Sequence, residues 1–72
     1  MKLYRIPHLE TWINPALVQT VQVVPSGNEF AVTVALSSGH LFLDGGYTSE
    51  ESAGYARDRI ANDINEILNP QT

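Results

Sequence analysis

Among the residue types that a divalent metal takes as ligands, His8, His40 and Asp44 form the most suggestive set in this chain. On a strand, His40 and Asp44 project from one face but stand about 13 Å apart. They share an ion only if the chain folds back on itself, so no metal site is expected. Ser37, Ser38 and His40 offer the hydroxyl and imidazole of a nucleophilic pair. A hairpin turn needs small polar residues at those positions for its own geometry, and that explains the serines without catalysis. Asp44-Gly45-Gly46-Tyr47, ahead of a helix start, has glycines that could expose N–H groups to a phosphate. It lacks the lysine and the frame of a P-loop and reads as a strand-to-helix turn. A domain this small has little room for a pocket, so no catalytic residue and no cofactor site is expected.

Two surface features point to binding instead. Glu50, Glu51, Asp58, Asp63 and Glu66 stand on the C-terminal segment against Arg57 and Arg59, which puts three of the four net negative charges there. Solvation explains such a face, but Asp63 and Glu66 lie near the negative end of a helix dipole, where helix stability gives no reason for them. An acidic surface for a basic partner, including mimicry of nucleic acid toward a DNA-binding protein, is the functional alternative. Tyr4, Trp12, Tyr47 and Tyr55 are large amphipathic aromatics of the kind enriched at interface hot spots. Trp12 and Tyr55 suit core and contact alike, whereas Tyr47, in a glycine-flanked loop, is the expected exposed contact. The candidate partner-binding set is therefore Asp58, Asp63, Glu66, Tyr47 and Trp12.

The elements that hold these residues follow from spacing. Ala53, Ala56, Ile60, Ile64, Ile67 and Leu68 recur at three and four, the period of one helix face. Thr48 with Glu51 makes a capping box, and Glu50 adds charge suited to the positive end of the dipole. The helix is expected over 49–68, with Asn69 and Pro70 ending it and 69–72 as a tail. Gly54 costs roughly 1 kcal/mol against alanine inside it, so a close backbone approach or a loose helix start is expected there.

Everything before Thr48 reads as β-structure, about 1–47. Phe30 to Leu36 is β-branched and bounded by Ser26-Gly27-Asn28 and Ser37-Ser38-Gly39, which makes it a central strand between two hairpins. Its neighbours are Val18 to Val24, ended by Pro25, and His40 to Leu43, ended by Asp44-Gly45-Gly46. Leu3 to Ile6 and Glu10 to Ile13 add a first hairpin to this sheet, and Asn14-Pro15-Ala16-Leu17 forms a single turn. The expected fold class is α+β, a small antiparallel sheet packed by one C-terminal helix in a single domain over 1–72. Phe30, Val32, Val34 and Leu36 face the helix, while Ala31, Thr33 and Ala35 make a second, weakly polar face. Either the sheet curls into a partial barrel or another subunit or partner covers that face.

Composition narrows the function. Seventy-two residues, 43% apolar and without cysteine, bury only about 60% of their unfolded surface and lack disulfide or thiolate-zinc staples. A net charge of −4 argues against direct binding of DNA or RNA. No apolar run is long enough to span a membrane and the start is not that of a secretory signal, so a cytoplasmic protein is expected. The expected role is a non-catalytic, regulatory protein-binding module. The alternative is a structural or assembly protein that works as a homodimer or higher homo-oligomer through its apolar sheet face.

The runs Trp12-Ile13-Asn14-Pro15-Ala16-Leu17-Val18-Gln19-Thr20-Val21, Pro25, Val32-Thr33-Val34-Ala35-Leu36-Ser37-Ser38-Gly39-His40 and Ser49-Glu50-Glu51-Ser52-Ala53 resemble the small flagellar FlbD-type (swarming-motility) proteins. Those are short chains with an asparagine-proline turn, two strands around a glycine hairpin, and a terminal helix opened by acidic residues. The resemblance covers residues 12–60, and the longer helix and the inserted Gly45-Gly46-Tyr47 depart from it. It implies a regulatory or accessory protein and supplies no catalytic residue. The same architecture resembles small phage and mobile-element proteins that bind and inhibit host machinery.

Overall fold

The computed structural model describes residues 2–70. Its longest sheet is an antiparallel meander of three strands, β3 (Val18–Ser26), β4 (Glu29–Leu36) and β5 (Leu41–Tyr47), in that order. The first turn carries Gly27 at φ 62°, which supplies the positive φ that a two-residue hairpin needs at its first central position. The second turn places Ser37 and Ser38 centrally and Gly39 at φ 96°, closed by Gly39 N–H to Leu36 C=O at 3.0 Å and Leu36 N–H to His40 C=O at 2.9 Å. Small polar residues and a left-handed glycine are what this turn requires.

Ahead of the meander, β1 (Tyr4–Arg5) and β2 (Trp12–Ile13) pair with each other as a separate two-stranded sheet. The first hairpin therefore does not extend the main sheet, and the meander is open, not a partial barrel. Two residues per strand give too short a ladder to stand alone, and the hairpin is held instead by burying Tyr4, Ile6 and Ile13 in the common core. A 3-10 turn over Pro15–Leu17 leads into β3, with the Asn14 side chain accepting the Ala16 N–H at 3.0 Å. That is the single turn which Asn14-Pro15 foreshadows.

Helix α1 (Glu50–Leu68) covers the inner face of the meander. Ala53, Ile60 and Ile64 are buried on it, with Ala56 and Ile67 packed beside them, against Val32, Val34 and Leu36 of β4. The cap lies one residue later than the sequence suggests: Ser49, not Thr48, accepts the Ser52 N–H at 3.1 Å, and Ser52 Oγ faces the Ser49 N–H at 3.4 Å. Strand β5 runs on to Tyr47 and uses Thr48 in the link, so the box that forms is Ser49 with Ser52 rather than Thr48 with Glu51. The helix passes regularly through Gly54, where an added Cβ would meet only the Arg57 guanidinium at 3.9 Å. Neither a close backbone approach nor a loose start accounts for that glycine.

Two strand ends differ from the sequence reading. β3 includes Pro25, which is tolerated because β3 lies at the edge of the sheet. β5 does not stop at Leu43: Phe30 pairs with Tyr47 and Val32 with Asp44, so three steps on β5 oppose two on β4. That count defines a β-bulge at Gly45-Gly46, with Gly46 at φ 94°. The second sheet face is weakly polar as expected, with Ala31 and Thr33 buried at its centre and Thr20 and Gln22 beside them, while Leu41 (64% exposed) and Leu43 (49%) stand out on β5.

Candidate functional site

The bulge has a consequence for side chains. Residues three apart on a regular strand point to opposite faces. With one residue added, Asp44 and Tyr47 both turn inward, and the Tyr47 hydroxyl donates to Asp44 Oδ2 at 2.6 Å. The Asp44 side chain is 1% exposed, which for a carboxylate demands partners. The second partner comes from the N-terminal hairpin, where His8 Nδ1 lies 3.1 Å from Asp44 Oδ1 and 3.5 Å from the Tyr47 hydroxyl oxygen. The His8 and Tyr47 rings meet edge to face, centroids 6.1 Å apart.

His8 occupies an unusual backbone position. Leu9 N–H bonds Ile6 C=O at 3.1 Å, Pro7 follows Ile6, and His8 has φ 65°. This is a type II turn with proline at its second position and a histidine where glycine or asparagine is favoured. The left-handed conformation costs an L-residue about 1–2 kcal/mol, and the imidazole it presents is the partner of a buried carboxylate. Tyr47 holds its proton up to about 12, against the usual 10, chiefly through burial and then through its bond to Asp44 and that carboxylate's charge.

The structure thus joins His8 to Asp44, two of the three residues weighed as metal ligands, and leaves His40 apart. His40 sits at the β4–β5 turn, its Nδ1 2.9 Å from Ser38 Oγ and its ring stacked on Phe42. Ser38 and His40 therefore do meet, but exposed, and no carboxylate bonds that imidazole among the described residues. The glycines of Asp44-Gly45-Gly46-Tyr47 lie inside β5 and not at the helix start. That start is filled by the Ser49–Ser52 cap and flanked by Glu50 and Glu51, a poor seat for a phosphate.

The partner-binding candidates divide. Trp12 is 61% exposed and lines a groove of about 640 Å³ together with Leu3, Arg5, Asp63, Glu66 and Ile67. This groove runs between the N-terminal hairpin and the C-terminal half of α1. Tyr4 forms part of it and donates to Asp63 Oδ2 at 3.2 Å, and its own proton is held up to about 12 by burial and then by Asp63. Asp58 is not part of the groove. Five residues along a helix from Asp63 place it about 140° round the axis, and it accepts instead from the neighbouring Arg57 at 3.1 Å. Tyr47 is half-buried at the end of a strand rather than exposed in a loop. Tyr55 is 69% exposed, its hydroxyl donating to Glu51.

Sequence reasoning missed the role of Tyr47 as the partner of Asp44 and the groove as a unit. The signal for the first is the Asp-Gly-Gly-Tyr spacing read as a bulge. Pro7 before a residue in the left-handed position hints at the second half of the cluster. No protein-family model matches this chain, and neither a curated protein nor a solved structure matches it. The functional reading rests on its own residues.

Proposed function

We propose that this chain is a non-catalytic, regulatory protein-binding module whose contact surface is the groove between the N-terminal hairpin and α1. The observation that carries the reading is Trp12, 61% exposed on one wall with Asp63 and Glu66 on the other. An indole left in water is a large apolar area with no intramolecular return, and such anchors dominate binding energy once covered. Lys2 and Arg5 stand on the hairpin side, so the groove has two signs. Its partner is a protein segment with an apolar side chain for Trp12, basic residues toward Asp63 and Glu66, and an acidic one toward Arg5.

Trp12 is the sole tryptophan, so its emission reports the groove directly. Peptides selected by display on the wild-type chain, with counter-selection on Trp12→Ala, should pair an apolar anchor with flanking Lys or Arg. They should shift the Trp12 emission saturably. Asp63→Lys with Glu66→Lys should weaken them, while Asp58→Lys, outside the groove, should not. Equal loss from Asp58→Lys, or no selective sequences, overturns the reading.

A second reading has its own observation in Leu41 and Leu43, exposed on an outer sheet face whose centre is uncharged, with Glu29 standing at its end on the first residue of β4. Such a face suits a second copy of a chain whose net charge of −4 repels approach elsewhere. Light scattering over a wide dilution range separates the two readings. A dimer mass that falls to monomer in Leu41→Lys with Leu43→Lys supports assembly through this face, and a monomer throughout removes it.

A further inference from the structure

We propose that His8 is a phosphoryl acceptor, modified on Nε2 in a pocket completed by Arg59. The argument begins with the Asp44 contact. A carboxylate accepts at both oxygens, so the Nδ1 that faces Asp44 Oδ1 at 3.1 Å donates its proton. The Tyr47 hydroxyl gives its own proton to Oδ2, which leaves its oxygen to accept from the same Nδ1–H at 3.5 Å. With the proton fixed on Nδ1, the lone pair of the neutral ring lies on Nε2. The imidazole is 69% exposed, and Nε2 has no partner among the described residues.

The ring borders a pocket of about 280 Å³ shared with Pro7, Tyr47, Tyr55, Ala56 and Arg59. A guanidinium binds phosphoryl oxygens through paired N–H donors. Arg59 engages no carboxylate among the described residues, in contrast to Arg57, which Asp58 holds. The site therefore offers a nucleophile of fixed tautomer, a buried carboxylate behind it, and a cation beside it.

The step balances with a phosphoramidate-class donor. The donor reacts as its zwitterion, with the nitrogen carrying three protons: the Nε2 lone pair attacks phosphorus, the Nε2–P bond forms as the donor P–N bond breaks, and that nitrogen leaves as neutral ammonia with the electron pair of the broken bond. The ring keeps its Nδ1 proton and becomes cationic, and Asp44 stabilises the positive charge as it develops. The phosphoryl group keeps its oxygens and their charge, which Arg59 offsets.

His40 is an internal control. It is exposed like His8, but its Nδ1 meets a serine hydroxyl in place of a carboxylate. The folded full chain is treated with potassium phosphoramidate, and the product is followed by intact mass, fragmentation at neutral pH and phosphorus NMR. The first phosphoryl group should appear on Nε2 of His8, about tenfold faster than on His40. Asp44→Asn should bring the His8 rate down several-fold, toward that of His40, with Arg59 still in place. Where that variant does not fold, Arg59→Gln decides, because Arg59 is exposed: the His8 rate should fall several-fold with His40 unchanged. Equal rates at the two histidines in the wild-type chain, modification of His8 on Nδ1, or an Arg59→Gln variant as reactive as wild type overturns the proposal.

Discussion

Removing one oxygen atom tests the buried cluster. In Tyr47→Phe the ring stays, its packing against the core is kept, and only the donor to Asp44 is lost. Hydrogen bonds to charged groups contribute roughly 1.5–3 kcal/mol, and the loss is felt in full when the acceptor cannot reach water. Asp44 is 1% exposed, and a 2.6 Å contact is near the short end for a hydroxyl and a carboxylate. The expected cost is therefore about 2 kcal/mol, which for a domain of this size lowers Tm by about 8–16 °C. Urea unfolding followed by circular dichroism measures it. Tyr55→Phe is the control, since its hydroxyl bonds Glu51 at the surface and its loss should cost less than about 0.5 kcal/mol. A double-mutant cycle with Asp44→Asn isolates the pair, with a coupling of at least about 1 kcal/mol expected. If Tyr47→Phe and Tyr55→Phe prove equally mild, the claim that the bulge builds an energetically coupled Asp44–Tyr47 pair is refuted.

Gly54→Ala should stabilise by about 0.5–1 kcal/mol, because the helix is regular there and the new Cβ meets only the end of Arg57; thermal melts read it directly. At the bulge, Gly46→Ala should destabilise by at least about 1 kcal/mol, since φ 94° is costly for any side chain, whereas Gly45→Ala should be milder, its Cβ 3.9 Å from Ala31 Cβ. Tyr4 and Tyr47 both hold their protons up to about 12 in the fold against 10 when unfolded. Their folded values being the higher, the stability they contribute is fully present below pH 10 and is lost as pH rises through 12. Denaturant midpoints between pH 9 and 12 should fall for the wild type and fall less for Tyr4→Phe with Tyr47→Phe.

The parts of this fold that sequence made legible are those governed by neighbours in the chain. Ala53, Ile60 and Ile64 mark the helix face by period alone, and Asn14 with Pro15 fixes a turn through one side-chain bond and one locked φ. Gly27 and Gly39 mark the two hairpins because both turns demand positive φ. The Gly45-Gly46 pair was misleading for the same reason: glycines end a strand or bulge it with equal ease, and only the pairing with Phe30 and Val32 decides. The His8–Asp44 contact spans 36 residues of sequence and depends on how a separate hairpin docks. Asp63 and Glu66 stood out as unfavourable to the helix dipole, and the helix period alone turns Asp58 away from them, but that Trp12 faces them follows from the hairpin's position.

The bulge also bears on how this protein meets other chains. A three-stranded open sheet has two unpaired borders, each a row of N–H and C=O groups ready to template a further strand. On β5 the extra residue breaks the regular spacing of that row, and two glycines offer no side chains for an incoming strand to pack upon. On β3 the row is interrupted by Pro25, which has no N–H to give. Replacing Gly45, Gly46 and Pro25 with β-branched residues would keep the extra residue of β5 and the register shift of β3 but give both borders side chains to pack upon and β3 an unbroken row of N–H groups, and the expected outcome is not a better sheet but a greater tendency to fibrillar aggregation, detectable as thioflavin binding. The device that brings Asp44 and Tyr47 together thus also serves colloidal stability.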